Sequence, residues 1–338
     1  MALTVVDFDT FRRYANKDDV LEGYLSGYYS NYSASGGPFP DTGRMYYASI
    51  AGDNYFGTTR NLGGPYTSFC YGQWWKGTST QNYSALRLKN PLVSSNSVIS
   101  LRFYQGNVLV YKGASTLVAS APFPVNVNSE SWYFVEAFVN VNSSTGAIYL
   151  KIGNEVVINE TGLNLGSDGV SLIDFAPTNG VELGPWYFGS ASSQSDMCGP
   201  IAGDYLPANA DTADDDFTPS AGSDSYAMVD EVQADDDSTY LASGTSGDVT
   251  VLDVAAIDSN LEDYVLAVKG VAKLKTSALS TKTIKVGVKS SSSIGQTDGV
   301  SPQLAYKDVV KLLTEDPATS SAWTASGVNA AQIHLEMP

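Results

Sequence analysis

The chain has 338 residues, enough for one large or two medium domains, each with its own core. Nineteen Lys and Arg against 36 Asp and Glu give a formal net charge of -17, which argues against a phosphate-neutralising grip on nucleic acid or an anionic membrane. No apolar run reaches the roughly 18 residues of a membrane helix, and the start MALTVVDFDTFRRYANKDD lacks a signal-peptide pattern, so a soluble chain without membrane insertion, made in a cytoplasm, is expected.

The charge is uneven. Between Lys151 and Lys269 there are 22 carboxylates and no Lys or Arg. Such a stretch reads as a solvated acidic surface that favours solubility, with a cation-binding or partner-facing patch as the alternative.

In chain order, DTFRRYAN predicts two helical turns capped by Asp9, and GYLSGYYSNYS follows with Tyr24, Tyr28, Tyr29 and Tyr32. YGQWWKG at 71–77 carries Trp74 and Trp75 between glycines. SVISLRFY and VLVYKG flank the turn Gln105-Gly106-Asn107 as a hairpin.

The most regular stretch is residues 131–162. Tyr133, Val135, Ala137, Val139 and Val141 alternate with Trp132, Phe134, Glu136, Phe138 and Asn140, a strand with both faces largely covered. NSSTG, AIYLKI, Gly153-Asn154 and EVVIN then continue an antiparallel meander. GPWYFGS at 184–190 adds Trp186 and Tyr187.

Residues 204–237 have 11 carboxylates, two prolines and no clear period, and read as a long ordered loop or interdomain connection. Beyond them period two returns. Leu266, Val268, Ala272 and Leu274 share one face, as do Ile284, Val286 and Val288, and DVVKLLT at 308–314 fits helix or strand, with strand favoured because Glu315-Asp316-Pro317 ends it abruptly. The class is all-β: a large jelly-roll sandwich followed by a second, smaller β-sandwich.

The chemical inventory is thin. The single histidine, His334, falls on the outward face of the last strand, which leaves no multi-histidine metal site and little material for a Ser-His-Asp arrangement. Phosphate-binding and nucleophile-elbow motifs are missing. Cys70 and Cys198 read as buried small hydrophobes. Glu136 has no partner spaced for sandwich-glycosidase chemistry and reads as a structural carboxylate. Asp214–Asp216 and Asp235–Asp237 offer oxygens that Ca²⁺ accepts, but neither has EF-hand spacing, so no cofactor and no metal is expected, calcium being the one ion those runs suit. No catalytic residue is assigned. Trp74, Trp75, Trp186 and Tyr187 are the candidate ligand contacts, to a glycan or to a protein interface, against the reading in which they close the ends of the sandwich core.

The meander SWYFVEAFVNVNSSTGAIYLKIGNEVVI resembles the core of laminin G-like and concanavalin A-like jelly rolls. GDYLPANADTADDDFTPSAGSDSYAMVDEVQADDDSTYLAS, VLAVKGVAKLKT and EDPATSSAWTASGVNAAQIHLEM, in that order, are similar to a family of bacteriophage virion proteins with an N-terminal laminin G-like region. Ile333-His334-Leu335 departs from the small or glycine-containing ending of that family. The resemblance implies a laminin G-like jelly roll over 1–205, an acidic connecting segment over 206–240 and a C-terminal β-sandwich over 241–338. It further implies a non-enzymatic virion structural protein, made and assembled in the host cytoplasm and displayed as head decoration, neck or tail appendage, with other virion proteins and further copies of itself as partners and a host-surface glycan as an added one. A glycan-binding adhesin is the alternative reading, and a sandwich-fold polysaccharide-degrading enzyme the third.

Overall fold

The computed structural model describes residues 3–9, 26–27, 31–33, 44–46, 58–76, 84–90, 97–113, 115–124, 131–176, 182–231, 234–258, 265–278 and 281–338. The helix expected after Asp9, and Tyr24, Tyr28 and Tyr29, lie outside them. The chain divides into two compact units, Met1–Gly203 and Asp204–Pro338. No described helix is long and apolar enough to cross a membrane.

The first unit contains β1 Thr4–Asp9, β2 Ser26–Gly27, β3 Asn31–Ser33, β4 Arg44–Tyr46, β5 Thr58–Tyr66, β6 Ser68–Lys76, β7 Ser84–Lys89 and β8 Ser97–Tyr104. It continues with β9 Asn107–Lys112, β10 Thr116–Pro122, β11 Tyr133–Asn140, β12 Gly146–Ile152, β13 Glu155–Leu163, β14 Val170–Ala176 and β15 Glu182–Ser190. These form two antiparallel sheets. The first runs β13-β12-β11-β6-β15-β4-β3, with β1 on β15, and the second runs β10-β9-β8-β7-β14-β5-β2.

Alternation assigns the faces. From the first sheet Val135, Ala137, Val139, Ile148, Leu150, Tyr71, Trp75, Trp186 and Phe188 point inward, and from the second Leu86, Leu88, Ile99, Leu101, Val108, Val110, Ile173 and Phe175 meet them in one cluster. The first unit is therefore a jelly-roll sandwich. The meander read from residues 131–162 is β11-β12-β13, its hairpin turning at Gly153 with φ +58°, where a side chain would be strained. At the other edge Asp7 of β1 meets Arg60 of β5 at 2.5 Å, an ion pair that ties the two sheets together.

The second unit contains β16 Ala208–Asp215, β17 Thr218–Pro219, β18 Leu241–Ala242, β19 Val249–Val254, β20 Val268–Leu274, β21 Lys285–Ser290, β22 Ser293–Gln296, β23 Lys307–Leu313, a short helix Ala325–Asn329, and β24 Ala331–Glu336. Its main sheet runs β16-β19-β24-β21-β22, and the β20-β23 ribbon packs over one face. Phe217, Ile284, Val286, Val309, Leu335 and Met337 fill that interface.

Residues 206–240 are not a connection. They open the second unit: β16 pairs with β19 as an edge strand, and Asp211 accepts from the backbone N–H groups of Ser225 (3.0 Å) and Tyr226 (2.6 Å) to hold the following turn. The apolar period is weak there because the segment is ordered by carboxylate–backbone bonds and lies at an edge, where charge blocks unwanted pairing.

EDPATSSAWT is likewise scaffold. Asp316 accepts from Ala318 N at 2.9 Å, Trp323 donates to the Leu313 carbonyl at 3.1 Å and packs on Val288 and Val328, and Thr324 caps the short helix through Gly327 N. The ending Ile333-His334-Leu335 lies in β24 and pairs with both β19 and β21 at the centre of the sheet.

Candidate functional site

The two outer faces of the first unit differ. On the first sheet, Trp74, Phe134, Glu136, Cys70 and Tyr187 alternate with the core residues and so point away from it. Residues 191–203 cover them. Glu136, 3% exposed, accepts at Oε1 from the Tyr187 hydroxyl at 2.5 Å and from Gly199 N at 2.7 Å, while Trp74 Nε1 donates to the Ile201 carbonyl at 2.8 Å. The Tyr187 and Phe134 rings stack with centroids 6.4 Å apart above Gly72, where a Cβ would stand 2.2 Å from the Tyr187 ring and 2.6 Å from that of Phe134. Glycine is required there by close approach.

Burial pushes the Cys70 thiol well up, with the Glu136 charge adding to it, and burial pushes Cys198 up to about 12. Tyr187 is raised by burial first. These groups are held protonated, the opposite of the lowered thiol that nucleophilic chemistry employs. Both cysteines are free.

The four sequence-predicted aromatic contacts are buried or half-buried. Trp75 (2% exposed) and Trp186 (0%) lie inside the sandwich and bridge its sheets, Trp75 edge-on to Phe103 at 5.0 Å and Trp186 against Phe175 at 5.3 Å. Tyr187 is 1% exposed beneath 191–203, and Trp74 is half-buried at the margin of that cover. The glycine-flanked segments are strand interiors, β6 and β15, paired with each other through Trp186–Gln73 and Tyr187–Gly72. Alternation within WW and WY, one ring inward and one outward, was the signal that could have shown it.

His334 is a second correction. It is 3% exposed rather than on the surface, because β24 is central and lies between β19 and β21. Its Nδ1 has no hydrogen-bond partner. Burial lowers its pKa, Glu336 and Asp214 oppose that shift, and Lys289 and Lys285 reinforce it. The Lys285–Glu336 (2.9 Å) and Lys289–Asp214 (3.1 Å) pairs surround the ring. With its folded pKa below the ordinary value of about 6.5, the unfolded chain binds more protons, so the stability contribution is present above that value and is lost as pH falls toward the folded pKa. Urea midpoints measured from pH 7.5 to 5 are expected to fall more steeply for the natural protein than for His334→Gln, and equal slopes would remove this role.

Among the described residues no three His, Cys, Asp or Glu side chains converge as a metal site. The aspartate runs are engaged otherwise: Asp216 accepts from Val249 N at 3.0 Å, Asp236 pairs with Lys273 at 2.9 Å, and Asp237 pairs with Lys275 and accepts from the Tyr306 hydroxyl.

The second sheet presents a different outer face. In register, Asp174 of β14 stands beside Arg87 of β7, then Ser100 of β8, Tyr111 of β9 and Leu117 of β10. The next row brings Arg102, Leu109 and Ser120 together. The Arg102 guanidinium lies 4.2 Å from the centroid of the Tyr111 ring. Asp174 is bracketed by Lys89 Nζ at 2.7 Å and Arg87 Nη1 at 3.7 Å. Tyr104, beside the β8–β9 turn, is 39% exposed and Leu117, beside Tyr111 toward the other end of β9, is 50% exposed, while Ser100 and Asp174 of the same face are buried. Sequence reasoning missed this face: these residues are outward positions along five strands and become neighbours only through sheet register.

No protein-family model and no curated protein matches the sequence. Similar solved structures include the galectin LEC-6 of Caenorhabditis elegans, 17% identical over 38% of this chain and 88% of that chain, with a TM-score of 0.29. A protein with a galectin-like fold from Bacillus subtilis is 10% identical over 55% and 94%, with a TM-score of 0.39. A GH131 β-glucanase catalytic domain from Podospora anserina is 13% identical over 56% and 97%, with a TM-score of 0.35. The class is an all-β protein whose first unit is a jelly-roll sandwich of two antiparallel sheets, an assignment that rests on the strand order and core described above.

Proposed function

We propose that this protein is a non-enzymatic glycan-binding module, with the sugar lying on the outer face of the second sheet across β8, β9 and β10. The observation that carries the proposal is the Arg102–Tyr111 stack flanked by exposed Tyr104 and Leu117 on rigid paired strands. The exposed apolar surface of Tyr104 and Leu117 suits the C–H side of a sugar, and the polar groups of the Arg102–Tyr111 stack fixed beside it suit the hydroxyls at low entropic cost. The non-enzymatic part is supported by Glu136, which is buried and committed to Tyr187 and Gly199, away from this face. A glycan array probed with the natural protein and with Tyr111→Ala tests the reading: binding lost in the variant supports it, and silence of the folded natural protein across the array removes it.

The proposal extends to carriage on a phage particle, as head decoration, neck or tail appendage. Its support is the ordered set of virion-protein motifs in residues 204–337. Labelling of purified particles by an antibody against this chain is the expected result, and unlabelled particles from cells that express the protein would overturn it.

A further inference from the structure

We infer that the ligand of this face is a linear oligosaccharide several sugars long, laid lengthwise along β9 and β10; the inference rests on the glycan-binding reading and narrows it to a substrate class. The outward rows begin with Tyr104, Asn107 and Pro122 side by side and end with Tyr111 beside Leu117, with Ser120 in the row between. Exposure follows the strand direction. Asn107, Ser120 and Pro122 are exposed together with Tyr104 and Leu117. Across the strands it stops, because the row through Tyr111 runs into Ser100 and, two strands further, Asp174, both buried. A ligand on the accessible strip therefore lies along the strands at the sheet margin.

The strip owes its continuity to an irregularity. Leu117 and Ser120 are three positions apart, a separation that plain alternation would put on opposite faces. The β9–β10 register shifts between Leu117 and Ala119, and that extra residue returns Leu117 to the face of Ser120. β10 is the edge strand of its sheet, where such a bulge costs least pairing.

Spacing sets the length of the ligand. Tyr104 stands opposite Asn107 and Leu117 opposite Tyr111, so the two exposed apolar residues are separated by the run from 107 to 111, about 14 Å at about 3.4 Å per residue. A pyranose is about as broad as the ring of Tyr104 itself. A monosaccharide thus covers one of the two residues and leaves the other in water. One such contact does not offset the freedom lost on association, whereas a chain that reaches both makes its second contact intramolecularly. The exposed hydroxyl of Ser120, midway, is placed to meet those of the intervening sugar.

The test titrates the full chain with linear homopolymers of glucose, mannose, galactose, xylose and N-acetylglucosamine, each as a length series from monosaccharide to octasaccharide. The expected result, in at least one series, is a gain of at least about tenfold, equivalent to about 1.4 kcal/mol, up to the length that spans both apolar residues and little beyond it. Tyr104→Ala and Leu117→Ala are each expected to remove that gain with the far-ultraviolet spectrum intact, since both side chains lie at the surface. A monosaccharide bound as tightly as the longest chain would overturn the length requirement and leave glycan binding standing. A gain with length that neither substitution alters would overturn the placement along β9 and β10. Silence of the folded natural protein toward every series would overturn both readings. Should either variant fail to fold, the length series on the natural protein decides alone.

Discussion

Replacing Trp186 by alanine is expected to destabilise the first unit by about 3–5 kcal/mol, the cost of deleting a large buried aromatic whose site cannot fully collapse. Trp186 is fully buried and leans on Phe175 of the opposite sheet, so both sheets lose contacts. Trp74→Ala is expected to cost less, since the ring is half-buried and holds one edge of the cover over the first sheet. Urea unfolding followed by circular dichroism measures both. The comparison also separates core from ligand contact: a Trp186→Ala protein of unchanged stability and weakened sugar binding would reverse the assignment.

The second large effect concerns Glu136. Substitution by alanine would leave the Tyr187 hydroxyl and Gly199 N–H without their buried acceptor, at about 1–3 kcal/mol for each donor left unsatisfied. The loss should be local as well as global. Amide exchange across residues 191–203 is expected to accelerate in Glu136→Ala, because that carboxylate and the Trp74–Ile201 bond are what hold the segment on the sheet. Glu136→Gln keeps an acceptor oxygen and should show the smaller change in both measurements. Exchange in Glu136→Ala as slow as in the natural protein would mean that other contacts hold the cover.

The meander over β11, β12 and β13 was legible residue by residue, since Val135, Ala137, Val139, Ile148, Leu150 and Ile152 repeat every second position and Gly153 marks the reversal. β23 was legible because a proline follows the apolar run. The acidic strand β16 was not, since an edge strand needs little apolar alternation and its carboxylates answer backbone donors in a turn that the sequence does not reveal. His334 was set on the correct side of β24, opposite Leu335, but its burial depends on β19 and β21 arriving from distant parts of the chain.

The four aromatic candidates divide in the same way. Alternation within Trp74-Trp75 and Trp186-Tyr187 requires that one ring of each pair enter the sandwich. Whether the outward rings meet water or a covering segment depends on residues 191–203, which reach Glu136 over a separation of about sixty positions.

By itself the sequence determined an all-β chain, its central meander and its acidic bias, because side-chain alternation and turn residues act between near neighbours. The tertiary structure decided which outer face is sealed and which brings Arg87, Arg102 and Tyr111 together. Sheet register joins residues far apart in the chain, and no local pattern encodes the partner across a strand.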